Sequence, residues 1–289
     1  MNPIWWGVIA AFAWGTSDLI SRITSRRLGP IGAMWGLSVS GLLSASVLLA
    51  LYPALLPHAL PAWIWLLGAS LAAMLAPIIF FRGLSLGPMA LVAPLAAAYP
   101  VWVLPIAMVE GFRPPPIAWL AMGLVALGAV VVARTAPHDP DEAISANPAN
   151  KRAAIIAALL ASLAFAATVI AGRGAAARVG SVLTLWSSRL GGSVLIALAR
   201  PWRGRPAFAT KRMWALLLLQ ALFDNAAFVS LYIGSQHGGA AMVSIASSAF
   251  MVVGVLLAAI FLKERPNVSC VAGAGAVFCG IALLAAVGP

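Results

Sequence analysis

Acidic side chains are what this sequence has least of: seven Asp and Glu among 289 residues, against 18 Lys and Arg. So few acids leave no paired carboxylates inside the apolar segments, which acid–base chemistry would need. Cysteine is scarcer still. Cys270 and Cys279 stand nine residues apart in one helical stretch, too far for an intrahelical disulfide. They match no metal or redox spacing and read as small apolar packing residues. The three histidines, His58, His138 and His237, all fall between apolar runs, so no proton relay follows from them. HExxH, CxxC and GxSxG are absent, as is a Walker-type glycine loop. The residues therefore argue against an enzyme, against a metal or cofactor, and against ATP-driven transport by this chain alone.

What the sequence has in abundance is apolar surface. Hydrophobic residues make up 63% and charged residues 9%, where a soluble domain carries about 25% charged residues. Apolar runs of about 18 or more residues recur along the whole chain, the mark of membrane-spanning helices. The lipid bilayer is thus the first partner. A net charge of +11 could suggest nucleic acid. The basic residues stand instead in short clusters between apolar runs, with no basic face, so nucleic acid is excluded and topology explains them. Trp5, Trp6, Trp63, Trp65 and Trp214 lie where helices begin, as interfacial anchors do. The N-terminus lacks the basic segment of a cleaved signal and is kept as a span.

Charged or Pro/Gly breaks delimit ten spans, roughly 4–21, 31–52, 63–82, 88–109, 115–133, 153–172, 180–200, 212–233, 239–262 and 267–287. Pro94, Pro100 and Pro105 predict that the fourth is kinked or broken. The polar stretch Arg134–Arg152 reads as a solvent-exposed linker. The chain thus divides into a first repeat (1–135), a linker (136–150) and a second repeat (151–289). At a shift of about 151 residues, Trp14 falls on Phe165, Arg22 on Arg173, Trp35 on Trp186, Gly41 on Gly192 and Gly87 on Gly238. One further residue of slip places Gly123 on Gly275 and Gly128 on Gly280. Five spans per half force the second half to enter the membrane upside down. The fold class is an all-α polytopic membrane protein of ten transmembrane helices in two five-helix inverted-topology repeats, a plan of secondary transporters with a substrate site near the midplane. Fourteen Lys/Arg lie in the odd-numbered loops and three (Arg113, Arg173 and Arg178) on the other side. The positive-inside rule then puts the linker in the cytoplasm and both termini outside.

Two stretches carry a family resemblance. "FAWGTSDLISR" (Phe12–Arg22) resembles the Trp-Gly-small opening of the EamA-like branch of the drug/metabolite transporter superfamily. "AAIFLKERPNVSCVAGAGAVFCGIALLA" (Ala258–Ala285) resembles the end of its repeat, where a helix ends in a glutamate, here Glu264, and a helix with spaced glycines, here Gly275 and Gly280, follows. The resemblance implies a ten-helix exporter of small metabolites, often amino acids, in a bacterial inner membrane. Its central cavity would be lined mainly by spans 1–4 and 6–9. Two departures stand out: Ser38 occupies the first-half position equivalent to Arg189, and the family is usually drawn with both termini in the cytoplasm.

Few ionisable groups lie inside spans. Arg189, in "TLWSSRLGG", is near the centre of span 7, where an unpaired arginine costs about 2.5–3.5 kcal/mol even on the lenient insertion scale. Asp224 is near the centre of the antiparallel span 8 and is its natural partner, with Gln220 one turn away and Asn225 adjacent. The pair is either a structural bridge or the border of a substrate cavity. Asp18 and Arg22 form an i,i+4 pair near the membrane surface, and Glu110 and Glu264 end spans 4 and 9 as interfacial residues. Gly32, Gly36, Ser40 and Ser44 read as a close-packing stripe on span 2. Ser244, Ser247 and Ser248 either bond their own helix or line the cavity. The aromatic candidates are Trp14, Trp35, Tyr99, Trp102 and Trp186. The related pair Trp35 and Trp186 is placed beside the pseudo-two-fold axis, and Tyr99 faces a wet cavity beside broken span 4.

Three functions compete. An enzyme lacks its machinery, and a channel would favour rings of like residues. A secondary transporter of small polar metabolites accounts for the inverted repeat, with amino-acid export first and multidrug or cationic-compound efflux second. Coupling to a proton or to a substrate gradient is compatible with these residues. The topology is directly testable. A cysteine introduced into the Arg134–Arg152 linker is expected to label only from the cytoplasmic face. Labelling by an impermeant reagent outside intact cells would reverse the orientation and leave the repeat standing.

Overall fold

Hydrocarbon offers no water to satisfy backbone N–H and C=O groups, so a chain this apolar must close its hydrogen bonds within helices. A computed structural model of the protein describes residues 2–52, 59–86, 92, 95–135, 148–199, 210–236, 239–261 and 267–287, which hold helices and no strand. His58, His138, His237, Gly87, Gly238, Pro94, Glu264 and positions 136–147 of the linker lie outside the described residues, as do Arg200, Arg203, Arg205, Lys263 and Arg265.

The first helix, α1 (Pro3–Leu51), starts under an N-cap. The Asn2 side chain accepts from the Ile4 N–H at 3.0 Å, and Pro3 fills the first turn. Helical assignment runs through both of the first two expected spans. A straight helix of 49 residues would reach roughly 73 Å at about 1.5 Å per residue. The contacts with α7 (Lys211–Gly234) show instead that α1 doubles back. Trp6 meets Gly234, Trp14 stacks edge-on to Phe228, and Thr24 donates to Gln220. Further on, Trp35 meets Trp214, Gly36 meets Leu217, and Gly41 and Ser44 accept from Asn225. Rising numbers in α1 thus run down α7 and then back up it. The two limbs are antiparallel and reverse between Thr24 and Trp35, where the sequence has Gly29–Pro30.

Next come α2 (Leu60–Leu86), α3 (Pro100–Val109), α4 (Pro116–Thr135), α5 (Pro148–Val179) and α6 (Ser181–Ala199). The end of the expected linker, 148–150, belongs to α5. A single residue, Gly180, joins α5 to α6 at φ +82°, a left-handed conformation that glycine adopts without penalty. Its N–H closes α5 on the Ala176 carbonyl at 2.9 Å, and its carbonyl accepts from Thr184 Oγ1 at 2.9 Å. After α7, expected span 9 appears as two helices, α8 (Ala240–Ser247) and α9 (Phe250–Phe261), and α10 (Val268–Val287) closes the chain. Span 4 is interrupted as its prolines predict, by a turn at Ala98–Tyr99 just before Pro100.

Among the described residues, five stretches are long and apolar enough to cross a membrane: Gly32–Leu51, Leu60–Phe80, Arg152–Val179, Lys211–Gly234 and Ala240–Phe261. Leu95–Val109, Pro116–Val132 and Val268–Leu283 are apolar but shorter. Leu43, Val47, Ile64, Leu67 and Leu71 point outward, a surface suited to lipid. Within the bundle α2 lies on α5, the first limb of α1 lies on α7, α8 and α9 pack against α1, and α4 lies on α10.

Lipid tails remove the hydrophobic drive between helices, so close backbone approach has to supply the contact. The α4–α10 seam does this with glycine. A Cβ on Gly128 would fall 2.6 Å from the Gly273 carbonyl oxygen, and one on Gly280 would fall 2.7 Å from that of Ala121. Gly128→Val is therefore expected to lower stability by about 1–3 kcal/mol through overpacking, read as a reduced unfolding temperature in detergent. An unchanged temperature would show that the seam is not tight.

Candidate functional site

The interior charge predicted on span 7 is compensated from three sides. Arg189 Nη2 donates to Asp224 Oδ2 at 2.5 Å, and Arg189 Nε donates to Asn225 Oδ1 at 2.7 Å. The guanidinium also lies over the Phe228 ring, 4.8 Å from its centroid, a cation–π contact strengthened by desolvation. The α6–α7 antiparallel packing brings Arg189 and Asp224 to one depth, as their mid-helix positions predict.

Asn225 is the hinge of this arrangement. While its Oδ1 accepts from Arg189, its amide nitrogen donates to the Gly41 carbonyl at 3.0 Å and to Ser44 Oγ at 2.8 Å. The absence of a side chain on Gly41 leaves room for the arginine stem, whose Cδ lies 3.4 Å from where a Cβ would stand. The second limb of α1 is therefore tied to α6 and α7 through one buried amide. The stripe on that limb combines close packing at Gly36 with hydrogen bonding at Ser44. The ion pair itself is not sealed: the Arg189 and Asp224 side chains keep 15% and 14% of their surface.

The other candidates divide. Gln220 is buried and accepts from Thr24 Oγ1 at 3.2 Å, bridging α7 to the first limb of α1. Trp14 joins the Arg189 cluster through Phe228, at a centroid separation of 5.3 Å, and also meets Phe250. Tyr99 does not face an open cavity. It is buried, and its hydroxyl lies 2.7 Å from Ser247 Oγ, so the serine takes the place that water would have held. Ser244 and Ser248 donate to their own helix, to the Ala240 and Ile245 carbonyls.

Trp35 and Trp186 have separate partners. Trp35 packs on Trp214, while Trp186 Nε1 donates to Ser46 Oγ at 2.9 Å. Trp102 is on the outside of α3 and donates to Ser162. Asp18 is exposed on α1 and has a partner, and its expected pairing with Arg22 falls on a side chain outside the description. Two residues escaped the sequence reading. One is Phe228, whose ring carries the guanidinium. The other is Tyr232, fully buried, with no hydrogen-bond partner for its hydroxyl among the described residues. Both follow Asp224 at helical spacing on α7, which is the signal that could have found them.

Among the described residues no group of His, Cys, Asp or Glu could hold a metal ion. What the cluster offers is a guanidinium with Nη1 unbonded among the described residues, a carboxylate and amide beside it, and an aromatic wall. Such a set can hold a small polar molecule by both of its charges.

A helical, lipid-facing bundle with interrupted helices and a partnered charge in its interior is of the membrane-transporter class. The comparisons make this specific. The model of the EamA-like transporter family matches residues 1–134 and again 152–286. The chain belongs to this family, within the drug/metabolite transporter superfamily, and is an integral membrane protein. No curated protein sequence matches it. Among 28 matching solved chains is one titled only "Crystal structure of protein", with a TM-score of 0.81 at 16% identity over 99% of this chain and 97% of its own. At that identity the likeness is one of fold.

Removing one member of a buried pair strands the other, at about 3–5 kcal/mol. Asp224→Ala is thus expected to unfold the protein or lower its unfolding temperature sharply, and Asp224→Ala with Arg189→Ala to recover much of that loss. If the double variant were no more stable than the single, the pair would not be the compensation that Arg189 needs.

Proposed function

We propose that this transporter exports small zwitterionic metabolites, amino acids first, by alternating access between two five-span halves inserted in opposite orientations. The observation that carries this reading is the meeting of two interrupted helices. One break lies at Ala98–Tyr99 in the first half and the other at Ser248–Ala249 in the second, about 150 residues on. They touch through the 2.7 Å contact of Tyr99 with Ser247. Secondary transporters place substrate where discontinuous helices of the two repeats face each other.

The packing pattern supports the same reading. Under the shift of about 151, α2 on α5 becomes α7 on the first limb of α1, and both pairings occur. In this view the ten expected spans are all crossings. The linker is cytoplasmic, both termini are outside, and the midplane site comprises Arg189, Asp224, Asn225 and Gln220 with Trp14 and Tyr99. A substrate carboxylate would compete for Arg189 while its ammonium takes up Asp224, so binding exchanges one ion pair for two. A proton or the substrate's own gradient would drive the cycle.

A lipophilic cation would want an unpaired acid among aromatics, whereas Asp224 already holds Arg189. The test is uptake and counterflow in reconstituted vesicles against a panel of amino acids. Amino-acid movement is expected, and the folded Asp224→Ala/Arg189→Ala double variant is expected to lose it. Silence toward every amino acid together with movement of a lipophilic cation would replace this reading by drug efflux. Full transport by the double variant would remove the pair from the substrate site.

A further inference from the structure

Away from the midplane, one end of the bundle holds a second concentration of charge that packing does not require. Glu110, just past α3, receives both terminal nitrogens of Arg173 from α5, one of them at 2.6 Å. A few residues on, Arg178 lies over the Trp65 ring of α2, 5.1 Å from its centroid, and donates through Nη1 to the Gly174 carbonyl at 2.7 Å. Together with Gln236 beyond α7, these groups line an open cavity of about 460 Å³. That volume lies within the range of about 300–1,000 Å³ typical of small-molecule sites.

The wall is built rather than incidental. Gly172 and Gly174 flank Arg173 and each receives a ring: a Cβ at Gly172 would fall 2.1 Å from Tyr232 Cε1, and one at Gly174 would fall 2.2 Å from Trp65 Cε3. The indole therefore lies flat against the α5 backbone, with Arg178 over it. Among the described residues no carboxylate pairs with Arg178, so Arg173 and Glu110 cancel while one cation remains. Glu110 keeps 42% of its side-chain surface although it is bonded, so it can still accept from a ligand. The Arg173 guanidinium bonded to it holds its carboxyl below the ordinary carboxylate range, and it stays ionised at neutral pH.

We propose that this vestibule is a binding site for an α-amino acid, with the ligand carboxylate on Arg178, its ammonium on Glu110 and its side chain along Trp65. The fit is one of charge: a fixed guanidinium and an accessible carboxylate line one cavity, with the Trp65 indole as its aromatic wall. The vestibule is distinct from the midplane cluster, since Arg189 lies eight residues into α6, about 12 Å further along the helix. It opens among the ends of α3, α5 and α7 and the start of α2, the end that the Lys/Arg distribution assigns to the outside. An exported molecule would dock there last, or a returning one first. The proposal stands on the cavity itself and does not depend on the transport reading.

The test is calorimetric titration of the full-length protein in lipid nanodiscs with L-leucine, L-leucinamide and 4-methylpentanoate. Leucine is expected to bind. Each analogue, lacking the carboxylate or the ammonium, is expected to bind about tenfold or more weakly, the worth of one charged hydrogen bond. Arg178→Gln is expected to weaken leucine by a similar factor, and Arg178→Lys to restore part of it. The folded Asp224→Ala/Arg189→Ala variant should retain the Arg178-dependent binding. No binding of leucine by the native protein would overturn the proposal, as would leucine affinity unchanged in Arg178→Gln. Arg178-dependent binding in a protein that moves no amino acid supports the vestibule and counts only against the export reading.

Discussion

A guanidinium in the middle of an apolar helix is the constraint around which half of this bundle is arranged. A guanidinium inside an apolar helix is costly without partners, and the protein brings them to Arg189. Asp224 supplies the counter-charge, Asn225 a second acceptor and Phe228 a π face. Asn225 then passes the constraint on, because its amide nitrogen must also be satisfied and finds Gly41 and Ser44 on α1. Three helical segments are thereby held by one cation in a geometry that apolar packing alone would leave free to slide. Replacing such a pair by well-packed apolar residues would often be neutral in stability.

The breaks in the two halves belong to the same logic. An interrupted helix in lipid leaves backbone groups to be satisfied by neighbours. Here Ser244, Ser247 and Ser248 turn their hydroxyls to the carbonyls of their own helix, while Ser247 also reaches Tyr99. The serines thus serve both alternatives open in the sequence: they back-bond locally, and one of them meets the other half. Glycine does comparable work at the seams, where α4 and α10 approach until backbone meets backbone.

Much of this was legible in the sequence, for a definite reason. Where ionisable groups are so few, Arg189 and Asp224 had hardly any choice of partner, and the antiparallel order of their helices set their depth. Proline announced the break before Pro100. The break at Ser248–Ala249 had no such marker, since neither proline nor glycine stands there, and the helices on either side of it pack against α1. The environment of Tyr99 and the separate fates of Trp35 and Trp186 were unreadable for the same reason. Repeat symmetry relates positions in the chain, but it does not say which neighbour fills the space beside each. Glu110 and Arg173 read as surface groups because two residues 63 apart leave no local signature of their meeting.

The grip of the two α1 limbs on α7 bears on how the chain is made. α1 leaves the ribosome well before α7, and Ser44 and the Gly41 carbonyl find their donor on Asn225, 181 and 184 residues later. During that interval Gly41 and Ser44 lie in the membrane without the amide donor that later satisfies them. Two glycine-lined notches, at Gly36 and Gly41, stay empty until α7 and Arg189 arrive. Assembly is therefore clasp-like and late: the first half is threaded early and locked only when the second half is almost complete. A truncated chain ending before α7 would present to the cell's quality control an inserted but unclosed intermediate.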